Sequence, residues 1–302
     1  MKPTALQNIF SGTSSTLVGV VLLAELAACA RSPSARSPSA GVDADGPVVE
    51  AGSEPPGGTV NTCDQYAAVT VGSYVVESDY WNKGSCPGSQ CMAINDTTGA
   101  FSVTQAPNCG DTVASYPNVL YGYSFGTSSP ASLLPMPLSA LTTVTSSWDF
   151  SVGGGSADKY DVAYDIWFCP DNTCGPNGFP DGTELMIWLD YQNVKGWQYD
   201  LGSVSLDGHT WEVWQATQGM GGNSWTYLAY MIQAPMVTSV TNLDLNAFFQ
   251  DAVSRGYVQN SWYLYAIQAG DELRTGGIPY NSNSFSVSIN GTTPAVIPGA
   301  GP

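Results

Sequence analysis

From about residue 60 the chain alternates short β-prone runs with clusters of turn-forming residues. Nine runs are rich in Val, Thr, Tyr, Trp and Phe: YVVES, AFSVT, TTVTSSWDFSV, KYDVAYDIWF, TELMIWLD, HTWEVWQAT, SWTYLAYMI, SWYLYAIQAG and SFSVSIN. Glycine-rich clusters such as GGGSAD and TQGMGGN separate them. Short strands with hairpin-length gaps predict an all-β domain, built as an antiparallel sandwich or barrel.

One segment, Thr241 to Arg255, has helical periodicity instead. Thr241 or Asn242 can cap its start, and Gly256 ends it. We expect this helix to cover the outer side of a sheet. Its apolar stripe consists of Leu245, Phe248, Phe249, Ala252 and Val253.

Two of the strands carry a carboxylate among apolar neighbours. In TELMIWLD, Glu184 shares its face with Met186 and Trp188, because alternate side chains of a strand point the same way. In AYDIWF, Asp165 shares its face with Trp167. If these strands form a hairpin, Asp165 lies across from Glu184 or near it. The remaining aliphatic face would then seal the space between two sheets, and the carboxylate face would line a cleft.

The first 28 residues predict an export signal, since the apolar run LVGVVLLA is too short to span a bilayer. The following LAAC resembles the lipobox of bacterial lipoproteins and predicts lipidation of Cys29; a plain secretory signal is the alternative. Residues 29–59, with a duplicated RSPSA, predict a disordered tether. We assign residues 60–292 to one folded catalytic domain and residues 293–302 to a tail. We expect a cell-surface or outer-membrane lipoprotein, or a secreted protein.

Six cysteines remain when Cys29 is set aside, and an even number in an exported chain predicts disulfides. Cys169 and Cys174 flank the turn signal PDNT, so we expect a local bridge between them. A zinc site is the alternative for the two Cys-x4-Cys spacings. The chain has one histidine, His209, and we expect neither a metal nor another cofactor.

Composition narrows the possible partners. Acidic residues outnumber basic ones 25 to 8, and the resulting net charge of −17 repels nucleic acid and anionic membrane surfaces. We therefore expect membrane contact only through an N-terminal lipid. Only 11% of residues are charged, whereas aromatic and uncharged polar residues are plentiful. Such a surface suits an uncharged, hydroxyl-rich ligand, and we expect a monomer.

The single histidine and the lack of phosphate-binding motifs leave carboxylates as the candidate catalytic groups. The domain has four glutamates: Glu77, Glu184, Glu212 and Glu272. We interpret Glu77 as a surface residue. Glu272 follows an aromatic strand at a bend that Gly270 and Gly276 bracket, with an acidic solvated turn at Asp271 as the alternative. Glycoside hydrolysis needs two carboxyl groups, about 5–5.5 Å apart in retaining enzymes.

These residues and motifs resemble glycoside hydrolase family 12, which contains small endoglucanases and xyloglucanases. The resemblance covers residues 60 to 290 and is carried by NTCDQY, SDYWN, YPNVLYG, VAYDIW, ELMIWL and QAGDE. It implies a jelly-roll sandwich of two curved antiparallel sheets, with a concave cleft for a β-1,4-glucan. It also implies endo-acting hydrolysis with retention at the anomeric carbon.

The resemblance further implies roles for individual residues. Glu184 would be the nucleophile, Glu272 the acid/base and Asp165 the hydrogen-bonding partner of Glu184. The implied substrate-binding residues are Trp81, Met186, Trp188, Tyr116 and Gln268. It suggests a disulfide between Cys63 and Cys91, which leaves Cys86 and Cys109 as the last pair.

The chain departs from the family pattern at two places. Ser78 and Asp79 replace paired asparagines, and Leu273 and Arg274 replace the Pro-Phe that usually follows the acid/base. Two alternatives remain open: a non-catalytic carbohydrate-binding sandwich, which needs no paired glutamates, and a jelly-roll xylanase.

Overall fold

The computed structural model describes residues 58–174, 181–220 and 222–294, whose strands form two sheets. The predicted signal, Cys29 and nearly all of the tether lie outside these residues, as does most of the tail. The smaller sheet contains β1 (Thr59–Thr62), β4 (Cys91–Asn95), β5 (Phe101–Gln105), β9 (Val144–Val152), β15 (Ser239–Asp244) and β17 (Tyr280–Ile289). The larger sheet contains β2 (Ala68–Val71), β3 (Tyr74–Glu77), β6 (Asn118–Ser124), β7 (Thr127–Ser128), β8 (Met136–Pro137), β10 (Lys159–Cys169), β11 (Thr183–Gln192), β12 (Tyr199–Leu206), β13 (His209–Met220), β14 (Asn223–Ile232) and β16 (Tyr263–Thr275). All nine predicted strands are confirmed.

The order of the strands places β10 and β11 in the middle of the larger sheet. That sheet runs β12-β13-β14-β11-β10-β16-β6-β3-β2, with β7 beside β6 and β8 beside β16. The smaller sheet runs β1-β4-β5-β17-β9-β15. The predicted antiparallel pairing holds except between β11 and β14, which are parallel. The two antiparallel pairs of the meander β12-β13-β14 make β14 parallel to β12, and β14 also runs parallel to its neighbour β11.

The hydrophobic core fills the space between the sheets and confirms the predicted alternation. Leu185 and Ile187 of β11 lie in this core with Tyr164 and Ile166 of β10, all fully buried. The face of the larger sheet turned away from this core carries Glu184 and its alternate neighbours, and we call it the cleft face. Local alternation therefore assigned the two faces of both strands correctly.

The helix α1 (Leu245–Ser254) begins later than predicted. Residues 241–244 belong to β15, which pairs with β9 through Leu243 and Asp244. The N-cap is Asp244, whose side chain accepts a hydrogen bond from the Ala247 N–H at 3.3 Å, and not Thr241 or Asn242. The predicted cap was wrong because strand pairing extends past both residues.

The helix also covers the core side of the larger sheet and not an outer side. The ring of Phe248 packs edge-on against Trp211 at 4.9 Å and Tyr230 at 5.3 Å, measured between ring centroids. Phe249 packs in the same way against Phe168 of β10 at 5.0 Å. The apolar stripe of α1 thus completes the core beyond the edge strand of the smaller sheet.

Replacing Phe248 by alanine is expected to lower the free energy of unfolding by about 3–5 kcal/mol, since the ring is fully buried between two aromatic neighbours. Urea denaturation followed by tryptophan fluorescence measures this change. The exposed Gln250 of the same helix provides the control, and Gln250→Ala should change stability by less than about 0.5 kcal/mol. Equal effects of the two substitutions would contradict this packing.

Six cysteines form three disulfides in the structure: Cys63–Cys91, Cys86–Cys109 and Cys169–Cys174. The bridge between Cys169 and Cys174 was predicted from the turn signal, and the other two pairs are those that the family resemblance implied. Cys63–Cys91 joins the end of β1 to β4 within the smaller sheet, and Cys86–Cys109 joins the loop that contains Trp81 to the loop after β5. The third bridge closes the start of the connection between β10 and β11. Within the described ranges, no helix has the length and apolar character needed to cross a membrane.

Candidate active site

Three adjacent strands, β11, β10 and β16, bring the candidate carboxylates together on the cleft face. Glu184 of β11 lies opposite Trp167 of β10, so Asp165 is its diagonal neighbour. On the other side of β10, Glu272 of β16 lies opposite Asp161. The predicted hairpin between β10 and β11 therefore exists and places Asp165 near Glu184.

Glu184 is a buried carboxyl group with one strong hydrogen bond. Its exposed fraction is 7%, and the indole N–H of Trp225 donates to its Oε2 at 2.5 Å. Burial raises the pKa of Glu184 to about 8; the Trp225 hydrogen bond opposes this rise and the charge of Glu272 adds to it. Glu184 and Glu272 therefore interact electrostatically on the cleft face.

Asp165 is equally buried, and its environment favours the protonated form. The indole N–H of Trp167 donates to its Oδ2 at 3.0 Å, while Oδ1 has no hydrogen-bond partner among the described residues. Burial, followed by the charge of Glu184, raises the pKa of Asp165 well above its usual range. No hydrogen bond joins Asp165 to Glu184 among the described residues, so the hydrogen-bonding role that the resemblance implied for Asp165 stays a prediction. The raised pKa keeps Asp165 protonated, which allows Glu184 to be ionised beside it.

Glu272 lies within a strand and not at a bend, which corrects the prediction. β16 continues to Thr275, which pairs with Lys159 of β10. The alternative of a solvated acidic turn is also wrong, because Asp271 is fully buried. The glycines do not mark a bend here. Gly270 pairs with β10 inside the sheet, and Asn118 of the neighbouring β6 packs closely against it. A side chain at position 270 would not fit, because its Cβ would lie 3.0 Å from the Cα of Asn118.

Curvature of the larger sheet is needed to bring Glu184 and Glu272 together, because they lie opposite residues six positions apart on β10. Tyr227 of β14 is the cross-strand partner of Glu184, and burial, followed by the charges of Glu272, Asp161 and Glu184, raises the pKa of its hydroxyl group well above the usual range. All three carboxyl groups therefore act electrostatically on the same part of the cleft face.

Met186 and Trp188 form the floor of this face. Their exposed fractions are 1% and 2%, and they pack with Ala163 and Tyr227. Neighbouring side chains cover both residues, so the substrate-binding roles that the resemblance implied for Met186 and Trp188 stay predictions.

The other predicted binding residues lie toward β6 and β3. Gln268 is 3% exposed and donates to Asn118 Oδ1 at 3.1 Å, while its own Oε1 has no partner among the described residues. The hydroxyl of Tyr116 donates to the Ala163 carbonyl at 2.8 Å. Trp81 follows β3 in a turn with 44% of its surface exposed, which suits a stacking ring.

A cavity at this end of the cleft contains two acidic residues that the sequence analysis did not assign to the site. It is lined by Tyr66, Ala67, Glu77, Asp79, Ser124, Phe125, Thr127 and Gln268. Burial raises the pKa of Glu77 to about 7 and that of Asp79 to about 8, with the charge of Glu77 adding to the second shift. Alternation in YVVE, where Glu77 shares the face of Val75, was the signal that could have placed Glu77 here.

Aromatic rings mark the opposite end, beyond β14. Trp197 and Tyr199 are 48% and 62% exposed, and the Trp197 ring lies 6.4 Å from the ring of Tyr227. An all-β sandwich that carries neighbouring buried carboxyl groups between exposed aromatic rings has the arrangement of a glycoside hydrolase.

Comparisons with known proteins agree with this class. The model of glycosyl hydrolase family 12 matches residues 72–290. A xyloglucan-specific endo-β-1,4-glucanase A from Aspergillus aculeatus is 26% identical over 239 residues, which cover 75% of this chain and 90% of that protein. Two similar solved structures are a metagenome-derived family 12 endoglucanase and an endoglucanase from Rhodothermus marinus. They are 38% and 37% identical, each with a TM-score of 0.70, and each match covers 78% of this chain and 99% of the other.

The chain belongs to glycosyl hydrolase family 12. The family assigned from sequence motifs is thereby confirmed, and so is the jelly-roll sandwich that it implied.

Proposed function

We propose that this protein is an endo-acting hydrolase of β-1,4-glucans that retains the anomeric configuration. Glu184 is the nucleophile, Glu272 the acid/base, and Asp165 the protonated partner beside Glu184. The observation that carries the proposal is the convergence of these three carboxyl groups on the concave cleft face of a family 12 chain. A cleft with exposed rings at both ends suits a chain that extends past the cleaved bond on either side.

In the first step, a carboxylate oxygen of Glu184 attacks the anomeric carbon while Glu272 gives its proton to the leaving glycosidic oxygen. Trp225 holds Oε2 of Glu184, which leaves Oε1 as the attacking atom. Protonated Asp165 removes the repulsion that a second negative charge would place beside the nucleophile. The products are a covalent glycosyl-enzyme and a shortened glucan with a new hydroxyl end.

In the second step, the ionised Glu272 takes a proton from water, and the resulting hydroxide oxygen attacks the same anomeric carbon. The bond to Glu184 breaks, the carboxylate is restored, and Glu272 is protonated for the next cycle. Two inversions at one carbon give net retention.

The test is the release of reducing ends from carboxymethylcellulose, mixed-linkage β-glucan, xyloglucan and xylan. We expect cleavage of at least one β-1,4-glucan with the β-anomer as first product, as followed by proton NMR. A first product with the α-configuration would contradict retention. Cleavage of xylan alone would favour the xylanase alternative, and binding without any cleavage would favour a carbohydrate-binding module.

Substrate binding at the Glu77–Asp79 cavity is expected to weaken as pH rises through about 7 to 8. Below this range both carboxyl groups hold a proton and can donate hydrogen bonds to sugar hydroxyls; above it, both are charged and must lose their remaining water when a sugar binds. Between pH 6 and pH 9 the Kd for cellotetraose should rise roughly fivefold to tenfold, the equivalent of about one hydrogen bond. Calorimetry in the Glu184→Gln background measures Kd without turnover, and Glu77→Gln/Asp79→Asn should remove most of the pH dependence.

We infer that the protein acts outside the cytoplasm. Three disulfides in one domain are typical of oxidising compartments, and the N-terminal sequence predicts export. Lipidation at Cys29 and the monomeric state remain predictions. Mass spectrometry of the N-terminal peptide and size-exclusion chromatography with light scattering test them.

A further inference from the structure

The guanidinium of Arg274 lies between two carboxyl groups at the end of the cleft that contains Glu272. Arg274 makes ion pairs with Asp161 Oδ1 through Nη1 and with Glu272 Oε2 through Nη2, the latter at 2.8 Å. The three side chains are 11%, 0% and 17% exposed, respectively. Little solvent therefore reaches the guanidinium, and these ion pairs are only weakly screened.

The strand register explains why these three side chains meet. Arg274 is two residues beyond Glu272 on β16, so both point to the cleft face. Asp161 lies directly opposite Glu272 on β10. Burial and the charge of Glu272 raise the pKa of Asp161 well above its usual range, and this rise is opposed by the guanidinium of Arg274. Its planar fork fixes both partners in direction as well as in distance.

We propose that Arg274, anchored by Asp161, is a positioning residue that selects which oxygen of Glu272 transfers the proton. The proposal rests on the assignment of Glu272 as the acid/base. A guanidinium has five N–H donors and no acceptor. Oε2 of Glu272 must therefore accept from Arg274 in both protonation states, and the transferable proton resides on Oε1.

This assignment gives each proton a defined path. In the first step the O–H bond at Oε1 breaks and its proton goes to the glycosidic oxygen as the bond to the anomeric carbon breaks. In the second step the proton of the attacking water returns to Oε1. Oε2 stays bound to Arg274 throughout, so the carboxyl group does not have to rotate between the two steps. Loss of Arg274 frees the carboxyl group to rotate and to present either oxygen.

Substrates with different leaving groups separate this role from a structural one. Mixed-linkage β-glucan needs protonation of its leaving oxygen, whereas 2,4-dinitrophenyl β-cellobioside releases a stable phenolate without it. We expect Arg274→Met to lower kcat/KM on the glucan about 30-fold to 100-fold, as for impaired general acid catalysis. On the dinitrophenyl substrate, kcat/KM should stay within about threefold of the wild type. A residue that only maintained the shape of the cleft would lower both values together.

Conservative variants and a matched control complete the experiment. Asp161→Asn keeps an acceptor for Arg274, and Arg274→Lys keeps the charge without the fork; both should give smaller losses, again confined to the glucan. If Arg274→Met does not fold, these two variants decide the question. Lys159→Met is the control, because Lys159 is a cation of the same strand as Asp161 and pairs at the surface with Asp111 at 2.5 Å. It should leave both values unchanged.

Two failures can be told apart. Equal losses on both substrates, or no loss on the glucan, would overturn the role of Arg274 alone. Glu272→Ala tests the underlying assignment. If this substitution also lowers kcat/KM equally on both substrates, Glu272 is not the acid/base, and the proposed function fails.

Discussion

Glu184→Gln is expected to lower kcat on β-glucan by at least about three orders of magnitude, because an amide oxygen cannot form the glycosyl-enzyme intermediate. The substituted side chain has nearly the same shape, and its amide oxygen can still accept the Trp225 hydrogen bond. The loss therefore reports the missing nucleophile and not a collapsed site. Reducing-end assays on purified protein measure it, and Glu212→Gln on β13 serves as the matched control with near wild-type activity.

The same substitution should stabilise the fold at high pH. The folded-state pKa of Glu184 is about 8, above its usual value of 4.5, so between these values the folded protein binds more protons than the unfolded chain. Stability then falls as pH rises from 4.5 and reaches its full loss above about 8. Each unit by which the pKa is raised corresponds to about 1.4 kcal/mol. At pH 9 the variant should therefore unfold at higher urea concentration than the wild type, with the difference vanishing near pH 4.

An inactive variant without this gain in stability would mean that Glu184 is not buried as described. An active variant, retaining more than about a tenth of wild-type kcat, would remove Glu184 from the mechanism altogether.

Glu272→Ala is expected to lower kcat/KM on β-glucan by about 10²–10⁴-fold, the usual contribution of a general acid. Sodium azide should restore turnover of the dinitrophenyl cellobioside, since azide attacks the glycosyl-enzyme without base assistance and gives a β-glycosyl azide. The stereochemistry of the azide identifies the role of the residue. With Glu184→Ala, azide instead replaces the missing nucleophile and gives the α-azide.

The two products can be distinguished by proton NMR, so each glutamate is tested independently. An α-azide from Glu272→Ala would exchange the two assigned roles. If azide rescues neither variant, and both variants cleave β-glucan as fast as the wild type, a different pair of groups on the cleft face carries out the reaction.

Much of the site could be predicted because its determinants are local. Alternation in TELMIWLD and AYDIWF correctly separated the core-facing residues from Glu184 and Asp165. The apolar stripe of α1 was likewise identified from its spacing, with Leu245, Phe248 and Phe249 buried. These patterns depend only on how often side chains of a strand or a helix return to the same face, and that repeat can be read from a few consecutive residues.

Other features depended on partners that sequence spacing does not reveal. The start of α1 moved to Asp244 because β9 pairs with the preceding residues. Glu272 proved to lie within a strand because β10 continues beside it. The ring of Trp188 is buried because Tyr191 of the same strand and residues of the neighbouring β14 pack around it.

Local patterns and motifs were enough to predict the fold class, the family, the hairpin that contains Asp165 and Glu184, and which face of β10 and β11 lines the cleft. They could not show that Glu272 acts electrostatically on Glu184, that Glu77 and Asp79 line a cavity, or that Arg274 binds both Asp161 and Glu272. The difference lies in the range of the interactions. The direction of a side chain follows from the backbone period of a few residues, whereas its charged partners and its burial depend on strands that are distant in sequence.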